Sequence, residues 1–270
     1  MISSLRSLIS DIGFEISETV KYRQVISSFV NTSLKQRYRR SILGFGWSLL
    51  SPLLNYGVVA IVFSFTMRNA VPNYFLYMFS GAVLFSFISA TIGHSPGIML
   101  SNEHYIKKIY IPKLVFVLNI VLVEFVNFLL GFATLCFLGL IFHKIEISAA
   151  LSILPLLIGL SVLFLIGISI VISILTVFFR DIFHIIPVIL QISFFATPIL
   201  YEKSILPEKA QQLIYFNPFY YFIESFRYPL YHQALPPFSY LITVTVLSLL
   251  SLAFGLLVLK QCDNRIVFKL

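Results

Sequence analysis

The feature that most constrains the fold is a long uncharged run that directly follows a basic one. Residues 42–67 contain no charge, and a cluster of cations precedes them. As a helix, this run would cover roughly 39 Å, more than the ~30 Å hydrocarbon core of a bilayer. It therefore predicts a transmembrane helix that is tilted or kinked at Pro52, with its basic end in the cytoplasm. The cations are Lys35, Arg37, Arg39 and Arg40.

The composition extends this prediction to the whole chain of 270 residues, of which 59% are hydrophobic and 11% are charged. Typical soluble domains carry about 25% charged residues. The net charge of +8 comes from cations beside apolar runs, which favours membrane topology over nucleic-acid binding. Cys136 and Cys262 lie in different segments, so neither a disulfide framework nor a zinc site is predicted. Residues 1–41 are amphipathic and contain acids, unlike a cleavable signal peptide.

The apolar runs predict an all-α integral membrane protein with six transmembrane helices. The spans are predicted at about residues 42–67, 74–92, 114–142, 151–179, 182–200 and 238–259. Residues 1–41 would form a cytoplasmic amphipathic interface region, and residues 42–270 one transmembrane domain. With this division, 14 of the 19 lysines and arginines lie on the side of the N-terminus. That bias predicts that both termini are cytoplasmic.

Two segments between the spans have unusual patterns. Residues 96–112 combine charges with apolar residues at helical spacing, which favours a cytoplasmic docking helix over an ordinary connecting loop. Residues 201–237 contain five prolines, and residues 215–231 include nine aromatics. This second segment predicts a helix pair that dips into the outer membrane interface, where aromatic side chains are favoured.

The chemistry that the sequence lacks is also informative. No GxxxxGK[ST] phosphate loop, HExxH or GxSxG motif occurs, so neither ATP binding of the usual kind nor a membrane protease is predicted. Glu124 is the one acid within a predicted span. An intramembrane carboxylate is a functional candidate. The sequence favours the alternative of a hydrogen-bonded acid that faces a neighbouring helix or an aqueous cavity, because a single acid gives little support for ion coupling.

Three stretches of sequence resemble type-2 ABC exporter permeases, especially those that export polysaccharides such as O-antigen, capsule or teichoic acid. The first runs from residue 34 to 53 (LKQRYRRSILGFGWSLLSPL), and the second from 102 to 113 (NEHYIKKIYIPK). The third is Phe216-Asn217-Pro218, followed by Glu224 and Arg227. The similarity extends over nearly the whole chain.

The resemblance implies a homodimer that binds two copies of a separate cytoplasmic ATPase, in the bacterial cytoplasmic (inner) membrane. ATP and magnesium would be bound by that partner, so no cofactor is expected in this chain. Motion would enter through a coupling helix and the N-terminal interface helix, and re-entrant gate helices would precede the last span. The coupling residues would be Asn102, Glu103, His104, Tyr105, Ile106 and Lys107. The outer gate residues would be Asn217, Pro218, Tyr220 and Glu224.

The substrate conduit would lie at the dimer interface, lined by the first and fifth spans. Aromatic rings suit a sugar polymer because they offer flat apolar surfaces to the C–H faces of pyranoses. The predicted conduit residues are Trp47, Tyr56, Phe63, Phe194, Phe195 and Tyr201. Export of a teichoic acid, capsule, lipid or drug by a related permease is the alternative. A membrane enzyme or scaffold is a third hypothesis, and the sequence shows no catalytic pair to support it.

Overall fold

The computed structural model describes residues 13, 17–39, 44–47, 50, 54, 57–59, 62, 71–141 and 148–270. Within these residues the regular structure is entirely helical, which confirms the predicted all-α class for this part of the chain. Its α-helices are α1 (Arg23–Tyr38), α2 (Tyr74–His94), α3 (Ile98–Ser101), α4 (Glu103–Lys108), α5 (Leu114–Ile141), α6 (Leu154–Phe178), α7 (Ile182–Ala196), α8 (Glu208–Ile214), α9 (Pro218–Arg227) and α10 (Phe238–Lys269). A 3₁₀ turn, Ser95–Gly97, joins α2 to α3, and a π-helical turn, Tyr228–His232, follows α9.

Four helical segments in the described ranges are long and apolar enough to cross a membrane. They are Tyr74–Lys108, Leu114–Ile141, Ala149–Phe178 and Phe238–Asp263. Helix α7 is also apolar but has only 15 residues, with Pro187 inside it. Most of the predicted first span, residues 42–67, lies outside the described residues.

Helix α2 is the centre of the bundle. Its side chains are buried on every side over most of its length, as expected of a helix that is apolar all round. It packs against α5, α6, α7 and α9. Helix α5 runs antiparallel to it, because His94 at the end of α2 meets Glu124, whereas Val83 lies opposite Gly131 further along α5.

Helix α7 lies beside α2 on another side and also runs antiparallel to it. The contacts between the two segments continue over nearly the full length of α2. In order, they are Gly97 with Phe183, Gly93 with Leu190, Phe85 with Phe194, and Tyr77 with Pro198. The segment from α7 to Pro198 therefore covers the same depth as α2.

Helices α6 and α10 form the most extensive helix pair of the described structure, and they run parallel. The Ser251 hydroxyl donates to the Phe164 carbonyl at 2.8 Å, and one turn further on Gly167 faces Gly255. A Cβ at Gly167 would collide with the Ser251 carbonyl, so only glycine allows the two backbones to touch. Small residues at such crossings are typical of membrane helix packing.

These directions define two ends of the bundle. We call the end at which α2 finishes and α5 starts the basic end, because Lys107, Lys108 and Lys113 lie there. The Lys113 ammonium also bonds to Asp263 near the end of α10. We call the opposite end, with Tyr74 at the start of α2, the tyrosine end.

Helix α1 packs along the first half of α5 at the basic end. The Phe29 ring stacks on Phe116 with centroids 6.0 Å apart, and the Asn119 amide donates weakly to the Ser33 hydroxyl at 3.4 Å. Other polar side chains of α1 are exposed, among them Arg23 and Asn31. An amphipathic helix of this kind buries its apolar stripe and leaves the other face to solvent or to a partner.

Candidate functional site

A groove of about 660 Å³ opens between α2 and α7. Polar side chains of both helices line it midway along the bundle and towards the basic end, beside aromatic rings nearer the tyrosine end. Its lining consists of Ala82, Phe85, Ser86, Ser89, Ala90, Gly93, His94, Pro187, Leu190, Gln191 and Phe194. Polar groups at membrane depth are costly against lipid and usually face a neighbouring chain or an aqueous cavity. The chemistry of the groove thus fits a water-filled path better than a lipid-facing surface.

One of the predicted conduit residues lines this groove, and two others lie next to that residue. The Phe194 ring meets Phe85 edge-on, with centroids 5.3 Å apart, and forms part of the groove wall. Phe195 packs edge-on against Phe194 at 5.4 Å and is 60% exposed. Tyr201 is half-buried, and its hydroxyl donates to the Phe195 carbonyl at 2.8 Å. The structure therefore brings these three residues together.

The other three predicted conduit residues belong to the first span. Trp47 is 43% exposed. Tyr56 and Phe63 lie outside the described residues. Val59, between them in the chain, packs against the apolar cluster around Tyr77 at the tyrosine end.

The predicted coupling segment forms α4, a short helix with one packed face and one exposed face. Asn102 begins it: its backbone carbonyl accepts from the amides of Tyr105 and Ile106, at 3.0 and 3.1 Å. Glu103 and Lys107 form an exposed ion pair one turn apart, at 2.6 Å, and His104 is exposed beside them. The polar face of α4 is therefore open to a partner.

The packed face of α4 contacts both α1 and α5. The Tyr105 ring lies 5.5 Å from the Phe29 ring of α1 and 6.3 Å from Phe116 of α5. Ile106 packs against the same apolar cluster. Tyr22, just before α1, donates its hydroxyl to the Tyr110 carbonyl at 3.2 Å. A force applied to α4 would thus reach α1 and α5 directly.

The predicted gate residues lie at the tyrosine end, where they fix helix α9. Asn217 caps this helix: its side-chain oxygen accepts from the Phe219 amide at 3.0 Å, and its side-chain nitrogen donates to Thr197 at 2.8 Å. Pro218 occupies the first turn, where its missing amide hydrogen costs nothing. The Tyr220 hydroxyl bonds to that of Tyr240 on α10 at 2.9 Å. Helix α9 is therefore tied to the end of α7 and the start of α10.

Arg227, at the end of α9, is fully buried. Its guanidinium lies over the Tyr77 ring at 3.8 Å, donates to the Pro198 carbonyl at 3.0 Å and forms an ion pair with Glu224. The sequence resemblance included Arg227, and the count of lysines and arginines assigned it to the side of the membrane opposite the N-terminus. The spacing of three residues from Glu224 is the signal that indicates a pair. The sequence gives no sign that the pair is buried.

Glu124 is the centre of a second charged cluster, at the basic end. Its side chain is 6% exposed; Oε1 accepts from Arg37 Nη1 at 2.8 Å and lies 3.3 Å from His94 Nδ1. The Asn127 amide donates to Oε2 at 3.0 Å. The predicted alternative of an acid that hydrogen-bonds neighbouring helices describes this geometry. Among the described residues no group of His, Cys, Asp or Glu is arranged to hold a metal ion.

Comparison with known proteins identifies a family of similar sequences. Residues 24–231 match the ABC-2 type transporter family. The chain is 27% identical over 239 residues to the O-antigen export system permease protein RfbA of Myxococcus xanthus, covering 88% of this chain and 92% of that protein. It is 30% identical over 236 residues to an O-antigen export system permease protein RfbA of Klebsiella pneumoniae, covering 87% and 90% of the two chains. A further protein of the same name from Klebsiella pneumoniae is 30% identical over 197 residues.

Proposed function

The chain belongs to the ABC-2 type transporter family, and on this premise we propose that it is the permease subunit of an ATP-driven exporter. Its substrate would be a lipid-linked, O-antigen-like polysaccharide, moved across the bacterial cytoplasmic (inner) membrane. The similarity to O-antigen export permeases along most of the chain supports this substrate class. The sequence contains no phosphate loop, so hydrolysis of ATP with its magnesium would occur in a separate ATPase subunit.

The observation that carries the proposal is the groove between α2 and α7. It combines polar groups at membrane depth, such as Ser89 and Gln191, with the Phe194 ring in its wall, next to which lies the exposed Phe195 ring. A sliding polymer needs water for its hydroxyls and flat apolar surfaces for its ring faces. Neither a lipid-facing surface nor an ordinary packed interface would combine the two.

The helix directions support a topology of six crossings. Helix α1 lies at the basic end and Val71 at the tyrosine end, so the chain changes ends between them. From there the chain crosses the bundle in alternating directions, through α2, α5, α6, the segment of α7 and α10. It therefore returns to the basic end. Most cations lie at this end, which supports a cytoplasmic location for this end and for both termini.

A second copy of the chain would complete the conduit. Helix α7 buries only Ile186 and Leu190, and its opposite face is exposed beside the groove. That face contains Gln191 among apolar residues, so contact with another protein chain suits it better than lipid alone. The homodimer would place two grooves around one path, with α9 and its flanking turns as an outer gate. Two ATPase subunits would bind at the basic end.

The groove is tested by replacing both Phe194 and Phe195 by alanine. We expect surface polysaccharide to fall strongly in a deletion strain complemented with this variant, while the amount of permease in the membrane is retained. Phe137→Ala combined with Phe254→Ala is the matched control, because these exposed rings lie on α5 and α10, away from the groove. An unchanged amount of surface polysaccharide in the groove variant would contradict the assignment of this groove as the conduit.

The docking face of α4 is tested by Glu103→Arg. This change reverses the charge in the first turn of an exposed helix and breaks the pair with Lys107. We expect loss of ATPase co-purification or of transport. Glu208→Arg is the control, since it makes the same change at the exposed start of α8 at the opposite end. If both variants keep the ATPase and transport equally, α4 is not the docking helix.

A further inference from the structure

Helix α1 connects the coupling helix with the mouth of the groove. Its contacts form three successive levels along about 24 Å, the length of a helix of 16 residues. The levels are Tyr22 with the Tyr110 carbonyl, Phe29 with Tyr105 and Phe116, and Arg37 with Glu124. The first two levels lie at the coupling segment, and the third lies at the end of α2.

The third level has an unusual arrangement, because one carboxylate oxygen contacts an arginine and a histidine from different helices. Glu124 Oε1 is 2.8 Å from Arg37 Nη1 of α1 and 3.3 Å from His94 Nδ1 of α2. Both side chains are partly exposed, 42% for Arg37 and 54% for His94, whereas Glu124 is almost fully buried. The buried acid is fixed in α5, and its partners are at the surface.

His94 belongs to two sites at the same time. It bonds to Glu124, and it also lines the groove between α2 and α7 near the basic end. Gly93, its neighbour in the chain, faces Leu190 of α7. The His94 ring at the mouth therefore shares its carboxylate partner with Arg37 of α1.

We propose that Glu124 is a positioning residue that changes during transport from sharing its carboxylate between Arg37 and His94 to holding His94 alone, a change that we call the partner switch. In the structure it holds both α1 and His94. When α4 is displaced, α1 follows through the Phe29–Tyr105 contact, and Arg37 separates from Glu124. His94 and Asn127 then keep the carboxylate satisfied, because leaving it buried without a partner is strongly unfavourable. This inference rests on the proposed export function.

The test locks α1 to α5 with a disulfide. Ser33 and Asn119 are replaced by cysteine, because their side chains lie within 3.4 Å, in a chain whose Cys136 and Cys262 are replaced by alanine. Export is measured with the full transporter complex, in the bacterium that normally produces it. We expect oxidation to lower surface polysaccharide by about tenfold, within the usual range of coupling between two sites. Reductant should restore export, which a merely structural defect would not allow.

A second disulfide serves as the matched control. Ser95→Cys with Ser169→Cys joins the turn after α2 to α6, where the two hydroxyls lie 2.9 Å apart in the buried core. Oxidation of this pair should leave export nearly unchanged. Equal export from the oxidised and reduced forms of the 33/119 pair, with its disulfide shown on a non-reducing gel, would overturn the partner switch. The proposed export function would still stand if the cysteine-free chain restores polysaccharide to the deletion strain.

Glu124→Gln provides an independent check. The amide keeps the size of the side chain and can still bond to its neighbours, but it has no negative charge to hold Arg37. We expect the permease to reach the membrane at its usual level and the 33/119 cysteines to cross-link more slowly, because α1 separates more readily. Cross-linking at the unchanged rate would contradict the proposal.

Discussion

The two charged clusters of the bundle lie near opposite ends of α2 and differ in how tightly they are held. At the tyrosine end Arg227 has no exposed surface, and its partners come from α2, the end of α7 and α9 itself. At the basic end Glu124 is buried, but its partners Arg37 and His94 are both partly exposed. One cluster is closed and the other is open to water on one side.

The difference assigns different mechanical roles to the two clusters. Separating a buried charge from partners on three elements is costly, because each lost partner leaves part of the desolvation penalty of the charge uncompensated. A buried acid whose partners reach solvent can exchange one partner at lower cost. The comparison therefore predicts that Arg227 mainly stabilises the fold, whereas Glu124 takes part in a conformational change.

The largest effect on stability should come from Arg227→Met. This change keeps most of the side-chain volume but leaves Glu224 in a partly buried position without its cation. Breaking a buried pair from one side costs about 3–5 kcal/mol. We expect little folded permease in the membrane and a clear drop in its unfolding temperature in detergent.

The double variant Arg227→Met with Glu224→Leu separates charge from packing. Replacing both members of a buried pair by apolar side chains is often neutral. We therefore expect much of the lost stability to return. A double variant as unstable as the single one would show that the guanidinium acts mainly through its contacts with Tyr77 and Pro198.

The two clusters differ in how far the sequence can reveal their pairing, for a physical reason. Glu224 and Arg227 are three residues apart on a helix, so their pairing is visible as a local pattern. Arg37 and Glu124 are separated by 87 residues and meet only when α1 packs on α5. Helical periodicity predicts which face of each helix is buried, but not which helix covers it.

The helices themselves were largely predictable because uninterrupted apolar runs satisfy their backbone only as helices. The coupling segment has a helix break that this reasoning did not predict. The sequence placed Ile98, Tyr105, Ile106 and Ile109 on one face of a single helix. In the structure the Asn102 side chain bonds to the Ile98 carbonyl at 2.8 Å, and the helix divides into α3 and α4. An asparagine side chain that bonds to a nearby backbone carbonyl in this way cannot be recognised from the pattern of apolar residues.

Two glycines of α2 allow a smaller and more local comparison. A Cβ at Gly81 would lie 2.5 Å from Arg227 Nη2 and 3.3 Å from Ile223, whereas a Cβ at Gly93 would lie 3.7 Å from Leu190. Gly81→Ala should therefore cost about 1–3 kcal/mol, as expected of overpacking. Gly93→Ala should leave the unfolding temperature nearly unchanged. Equal unfolding temperatures for the two variants would show that the tyrosine end is not the more tightly packed one.

A still smaller effect is expected for Tyr77→Phe. The ring remains beneath Arg227, but the hydroxyl, which lies 3.0 Å from the Tyr201 carbonyl and 3.3 Å from that of Pro198, is lost. We expect a loss of about 0.5–1.5 kcal/mol. Tyr77→Leu should cost more in the same unfolding assay, because it also removes the cation–π contact. Equal losses would assign the whole effect to the hydroxyl.

The smallest effect on stability, with the greatest effect on transport, should come from Arg37→Gln. Glu124 would keep His94 and Asn127 as partners, and water already reaches the site, so the loss should be about 1 kcal/mol or less. Export should nevertheless fall, because α1 no longer bonds to the carboxylate that also positions His94. Lys35→Gln removes the same charge from an exposed position of α1 and is the matched control, while Arg37→Lys should retain most of the export. If Arg37→Gln instead destabilises the permease as much as Arg227→Met, the basic end is as closed as the tyrosine end, and the distinction between the two clusters fails.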